Sequence, residues 1–192
     1  MFDNLSNYQI ILASKSPRRQ QLLAELGIHF KVKTFDTDES FPADLPVVDV
    51  PVFLAKQKAK PFGNTISETD LIITSDTIVA INNEILGKPA NYPEAFEMLE
   101  KLSGKLHQVI TGVFLYSTQK SVAFTVITNV WFKQLSDQEI DYYITNFKPF
   151  DKAGAYGIQE WIGHIGVERI EGSYFNVMGL PVQKLYEILK TY

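Results

Sequence analysis

Apolar positions in this chain follow strand and helix periods by turns. Residues 10–13 form a short apolar run suited to a buried strand, and Leu22, Leu23 and Leu26 then recur at helical spacing until Gly27. Ser16 suits an N-cap and Pro17 the first helical position, where its missing N–H costs nothing. A second helix is predicted over residues 50–60, with Phe53, Leu54 and Ala55 in it and Pro61 and Gly63 ending it. Residues 71–81, LIITSDTIVAI, read as a strand. Asn82-Asn83 before EIL predicts a tight reversal into a second, short strand.

Tyr92-Pro93-Glu94 opens a predicted helix with Phe96, Leu99 and Leu102 on one face, stopped by Gly104. Two strand-like stretches follow, residues 108–116 and 122–134, with the polar STQKS between them as a hairpin turn. Ser136 to Glu139, SDQE, has the form of a capping box ahead of Ile140, Tyr143 and Ile144, which gives the Glu139 carboxylate a structural task. From Phe150 the pattern is irregular and rich in Gly with interleaved aromatics. A last helix is expected over residues 181–190, bearing Leu185, Ile188 and Leu189. The Gly-rich stretch holds too many Tyr, Trp, Ile and Val to be a linker. With no repeat, low-complexity segment or clear boundary, residues 1–192 are expected to form one domain, or two closely packed lobes.

Composition narrows the classes. The 192 residues are 45% apolar and 21% charged, ordinary for a globular chain. A net charge of −4 argues against coating nucleic acid, which needs a surplus of Lys and Arg to displace counterions. Without cysteine there is no disulfide framework, thiolate metal site or thiol nucleophile. The first residues lack the basic start and the ~7–15-residue apolar core of a signal peptide, and no apolar run nears the ~18–20 residues that span a bilayer. A cytoplasmic protein with no membrane role is expected.

Against that mildly acidic background, SKSPRR at residues 14–19 stands out. A helix N-terminus already carries partial positive charge, so Arg18 and Arg19 in its first turn oppose the dipole unless an anion arrives there. Their planar forks match phosphate oxygens. Exposed arginines without a ligand remain the plain alternative, and the loop lacks the G-x-x-x-x-G-K of a Walker motif. Asp76 lies within an apolar strand, where an ionised carboxylate has to be hydrogen-bonded, metal-bound or exposed at a strand end. A catalytic or metal role and a satisfied structural role both fit the spacing. Lys88, just after the predicted reversal, would be brought near Asp76 by the hairpin, or is simply a solvated lysine. Glu39, in the acidic DTDES loop, is a cation ligand or solvated charge, and Lys58 is similarly open. His29, His107 and His164 lack zinc-ligand spacing, and no G-x-S-x-G elbow points to acyl transfer. Carboxylates with phosphate oxygens favour Mg²⁺ or Mn²⁺ as the metal.

Taken together and in order, LASKSPRRQQLLAELG, SDTIVAINNEILGKP, LSGKLHQVITGV, DKAGAYGIQ and RIEGSYFNVMGLP closely resemble the Maf family of nucleotide pyrophosphatases, from Ile11 to the C-terminal helix. The resemblance implies an α/β fold of the inosine-triphosphate-pyrophosphatase-like kind, with a mixed central sheet, flanking helices and two lobes around a cleft, commonly a homodimer. It implies divalent-metal-dependent hydrolysis of a nucleoside triphosphate to monophosphate and pyrophosphate. Asp76 falls on the family's catalytic Asp, and Ser16, Arg18, Arg19, Glu39, Lys58 and Lys88 fall on its polar and charged cleft positions. Arg18, Thr77 and Gln159 occupy the three positions at which its branches differ, in the combination of the dTTP/UTP branch. The 7-methyl-GTP branch carries other residues there, such as Trp in place of the Arg. On this expectation Glu39 and Asp76 help hold Mg²⁺ or Mn²⁺, and Asp76 takes the proton of the attacking water. Arg19, Lys58 and Lys88 hold the triphosphate. Gln159 offers an amide donor and acceptor to the imide edge of uracil or thymine, and Arg18 donors meet a base carbonyl. A nucleotide-sensing or partner-binding regulator of cell division is the competing reading. Purine selectivity is disfavoured by Gln159.

Overall fold

The computed structural model describes residues 2–63 and 65–192. Among them the strands are β1 (Gln9–Leu12), β2 (Phe30–Val32), β3 (Asp70–Ile81), β4 (Glu84–Leu86), β5 (Leu106–Tyr116), β6 (Ser121–Phe132) and β7 (Val167–Glu171). The α-helices are α1 (Pro17–Glu25), α2 (Val50–Ala59), α3 (Tyr92–Leu102), α4 (Asp137–Phe147), α5 (Trp161–Gly166), α6 (Tyr174–Met178) and α7 (Val182–Lys190). The strands form one mixed sheet in the order β2-β1-β3-β5-β6-β7, with β4 attached to β3. β1 runs parallel to both β2 and β3, whereas β4 pairs antiparallel with β3 and β7 antiparallel with β6. Among the described residues no helix is long and apolar enough to cross a membrane.

By its contacts the chain divides into two compact units. The first gathers the chain up to Asp76 with Thr111–Val126 and Gly179–Tyr192; the second comprises Thr77–Ile110 and Ile127–Met178.

In the first unit, β1 leads through Ser16 into α1 as its residues predict. The Ser16 hydroxyl accepts from the Arg19 N–H at 3.5 Å and Pro17 begins the helix. Gly27, at φ 74°, ends the segment in the left-handed region that glycine adopts without strain. α2 then lies against the sheet through Val50, Pro51, Leu54, Ala55 and Ala59. That approach requires a glycine in β5. A Cβ at Gly112 would overlap the backbone of Pro51 and Val52, so the first turn of α2 sits directly on the strand.

The second unit has its own core, in which Leu99 and Leu102 of α3, Val130 and Phe132 of β6 and Ile140, Tyr143 and Ile144 of α4 meet Val79 and Ile81 of β3. Asn82 and Asn83 both take positive φ, 51° and 64°, the geometry of the predicted tight reversal into β4. The capping box forms, with Ser136 and Glu139 each bonding the other's backbone N–H. His107 is buried, its Nε2 bonded to the Tyr156 hydroxyl at 2.8 Å and its ring edge-on to Phe132. Burial pushes its pKa down to about 4, as suits a neutral core residue.

The sequence reading needs correction after Phe150. Where it found irregular chain, the structure holds α5, β7 and α6 before α7. β2, with three residues and two of them exposed, also escaped it.

Candidate active site

β3 sets the geometry around Asp76. Successive side chains on a strand point to opposite faces, so Thr74 and Asp76 share one face and Ser75 takes the other. The Thr74 hydroxyl donates to the Ala55 carbonyl of α2 at 2.7 Å. Lys58 stands three residues beyond Ala55, on the same side of the helix. The Thr74 bond therefore fixes the register that brings the Lys58 ammonium to Asp76, two residues farther along the strand.

The contact is close. Lys58 Nζ donates to Asp76 Oδ1 in a short hydrogen bond and lies 3.0 Å from Glu39 Oε1. The side chains of Lys58 and Asp76 are 19% and 13% exposed and that of Glu39 is 52% exposed, so one ammonium bridges a largely buried carboxylate and a half-solvated one. A carboxylate so placed has a partner as well as an opening to solvent.

One residue before Asp76, Ser75 ties β3 to the N-terminus of α1. Arg19 donates from Nε to the Gly179 carbonyl at 2.8 Å and from a terminal nitrogen to the Ser75 carbonyl at 2.9 Å. The Ser75 hydroxyl donates to the same Gly179 carbonyl at 3.3 Å. Each charged bond of this kind contributes roughly 1.5–3 kcal/mol. Burial presses the Arg19 guanidinium below its ordinary pKa; Asp76 opposes that, Arg18 adds to it and Glu39 opposes it weakly. The guanidinium stays charged throughout the physiological range. Arg19 is thus part of the scaffold as well as a cation beside Asp76. That second task was hidden in the sequence, because Gly179 lies 160 residues away.

The loop before α1 is folded on itself. The Ser16 N–H donates to the Ser14 hydroxyl at 3.2 Å, and Gln20 donates to the Ser14 carbonyl at 3.2 Å. Lys15 pairs at the surface with Asp36. Arg18 is half-buried in the same turn.

The first unit therefore brings together Arg19, Glu39, Lys58 and Asp76, with Ser16 capping the helix that carries Arg18 and Arg19. The remaining predicted residues belong to the second unit: Thr77 half-buried on β3, Lys88 exposed beyond β4, and Gln159 half-buried in the turn before α5. Sequence reasoning missed Thr74 and Ser75, the hydroxyls that set the register of Asp76. Their signal was present in the polar pair inside an otherwise apolar strand.

Glu39 and Asp76 fit a hard divalent cation, which takes oxygen ligands and commonly uses one or two carboxylates with substrate phosphates and water. Among the described residues no cluster of three or more His, Cys, Asp or Glu would hold a metal unaided. The donor set suits a cation that arrives with a polyphosphate.

A protein-family model described as Maf-like protein matches residues 9–192. The chain is 55% identical to a dTTP/UTP pyrophosphatase of Phocaeicola vulgatus over 99% of both chains. It is 52% identical to one of Parabacteroides distasonis, again over 99% of both, and 48% identical to one of Porphyromonas gingivalis, over 100% of this chain and 98% of that one. With the family model matched along nearly its whole length, this chain belongs to the Maf-like protein family.

Proposed function

We propose that this protein hydrolyses dTTP and UTP to the nucleoside monophosphate and pyrophosphate. The observation that carries the reading is Asp76, a mostly buried strand carboxylate that Lys58 links to Glu39, with Arg19 anchored on the residue before it. A protein that only sensed nucleotides would gain nothing from carboxylates beside a polyanion unless a metal ion intervened. The relatives' shared name favours catalysis over that alternative.

In the reaction, water attacks the α-phosphorus, the bond from that phosphorus to the α,β-bridging oxygen breaks, and pyrophosphate leaves. Asp76 accepts the proton of the attacking water. Lys58, held between Asp76 and Glu39, turns to phosphate oxygens as substrate enters. Arg19 adds positive field without moving, since two backbone carbonyls hold it. Glu39 and Asp76 would hold Mg²⁺ or Mn²⁺, which when bound neutralises the phosphates and polarises the phosphoryl group. Lys88 is assigned to the triphosphate. Arg18, Thr77 and Gln159 are assigned to base selection, with Arg18 donors meeting a base carbonyl. Cytosine reverses one donor-acceptor position of the uracil edge, and a buried partner left unmatched costs about 1–3 kcal/mol.

A cytoplasmic homodimer acting on a small molecule completes the reading. The net charge of −4 supports a free nucleotide over nucleic acid as partner. Measuring pyrophosphate release from UTP, dTTP, CTP, ATP and GTP with Mg²⁺ or Mn²⁺ tests it. UTP and dTTP are expected to exceed CTP by at least about tenfold in kcat/KM. No release from any of them would remove the catalytic reading, and equal release from all would remove the base assignment.

A further inference from the structure

Gln159 lies in a four-residue turn, closed by the Glu160 N–H donating to the Gly157 carbonyl at 3.0 Å. Buried polar groups from other segments converge on this turn. The Tyr143 hydroxyl, from α4, accepts the Gly157 N–H at 3.0 Å and donates to Glu160 Oε2 in a short hydrogen bond. The ammonium of Lys152, a residue only 8% exposed, lies 3.1 Å from Glu160 Oε1 and 2.6 Å from Asp151 Oδ1. A Cβ at Gly157 would come within 2.9 Å of the Glu160 carboxyl carbon, so that carboxylate lies against the backbone of the turn. On the other flank, a Cβ at Gly163 would overlap the Ile158 carbonyl, which sets α5 directly on the residue before Gln159. Burial, and after it Glu160, raise the Tyr143 hydroxyl well above its ordinary pKa and keep it a donor.

This arrangement is a poor way to gain stability. A buried ammonium-carboxylate pair contributes little beyond what apolar side chains of the same volume would, whereas removing one partner is costly. The Tyr143 ring already fills the core without its hydroxyl, stacked on Phe147. What the polar groups add is a single conformation for the turn, because Glu160 accepts from Tyr143 and Lys152 only in that one.

We infer that Tyr143, Glu160 and Lys152 are positioning residues for base selection: by locking the backbone on both sides of Gln159 they aim its amide at the imide edge of the pyrimidine. The inference rests on the assignment of Gln159 to the base, and goes beyond it by placing the control of selectivity in side chains that never touch the nucleotide.

The test is the ratio of kcat/KM for UTP to that for CTP in Tyr143→Phe and in Lys152→Met, each confirmed folded by its melting curve, alone and combined with Gln159→Ala. The ratio is expected to fall at least tenfold in either single variant, through a raised KM for UTP and not for CTP. In the Gln159→Ala background the same changes are expected to move the ratio less than twofold, since the aimed group is gone. An unchanged ratio in the folded single variants overturns the inference, as does an equal fall with and without Gln159. If Gln159→Ala alone leaves the ratio untouched, the base assignment itself fails and the inference falls with it. The two failures are therefore distinguishable. Should Lys152→Met not fold, Tyr143→Phe, which keeps the buried ring, decides the matter alone.

Discussion

Asp76→Asn is expected to lower the rate of pyrophosphate release by about 10³-fold, the scale of a lost general base, while a non-hydrolysable UTP analogue binds as well as before or more tightly. Asparagine preserves the shape on β3 and removes both proton acceptance and a negative charge beside a polyanion. Lys58 keeps its contact with Glu39 at 3.0 Å, so the local structure has a remaining ion pair to close on. Stopped-flow release of pyrophosphate together with calorimetric binding of the analogue separates the two effects. Activity within tenfold of the native protein would exclude Asp76 as the base. Lost binding with a native melting temperature would make it a binding residue first.

Lys58→Met should have two opposite consequences. The native ammonium satisfies Glu39 and Asp76 together, so a divalent cation binding the nucleotide-free protein has to displace it. Opposite charges at about 4 Å interact by roughly 4 kcal/mol at the effective dielectric of a protein surface, and the half-exposed Glu39 reduces that further. Removing the ammonium is expected to raise Mn²⁺ affinity of the nucleotide-free protein by about tenfold, equivalent to ~1.4 kcal/mol. It should lower kcat/KM for UTP by about a hundredfold through lost stabilisation of the leaving pyrophosphate. Mn²⁺ titration followed by electron paramagnetic resonance reads the first effect without any turnover, and Lys60→Met, an exposed position at the end of the same helix, serves as control. Unchanged or weaker Mn²⁺ binding in Lys58→Met would mean that the two carboxylates are not the cation's ligands.

The parts of the fold that local chemistry determines were legible. Ser16 with Pro17, the Asn82-Asn83 pair and the Ser136–Glu139 box each encode a turn or cap through their own backbone preferences, and each formed. The segment after Phe150 was not legible, for reasons visible in its residues. α5 carries two glycines in six residues, which weakens any helical signal. β7 is an edge strand reading Val-Glu-Arg-Ile-Glu, with its charges outward and no clean alternation. The α6 segment is tied to the sheet by Asn176, whose amide donates to the Val109 carbonyl and the Thr128 hydroxyl, tertiary bonds that no local pattern announces.

The candidate site divides in the same way. Asp76 and the Arg18-Arg19 pair were conspicuous as charges in unfavourable places, an apolar strand and the positive end of a helix. Glu39 and Lys58 were ambiguous until α2 and the acidic loop met at Asp76, which depends on Thr74 reaching Ala55 and on Gly112 admitting the helix. The resemblance to a family, more than residue spacing, gave those two residues their roles. Tyr143 read as one more apolar position on an amphipathic helix; its hydroxyl acquires meaning only from Glu160 and Gly157, which come from a different segment.

The central claim is that this group of charges directs water to the α-phosphorus and no other. Hydrolysis of UTP in H₂¹⁸O, with the products resolved by mass spectrometry, tests it most directly. The account predicts one ¹⁸O in uridine monophosphate and none in pyrophosphate. Label found in pyrophosphate would place the attack at the β-phosphorus and contradict it.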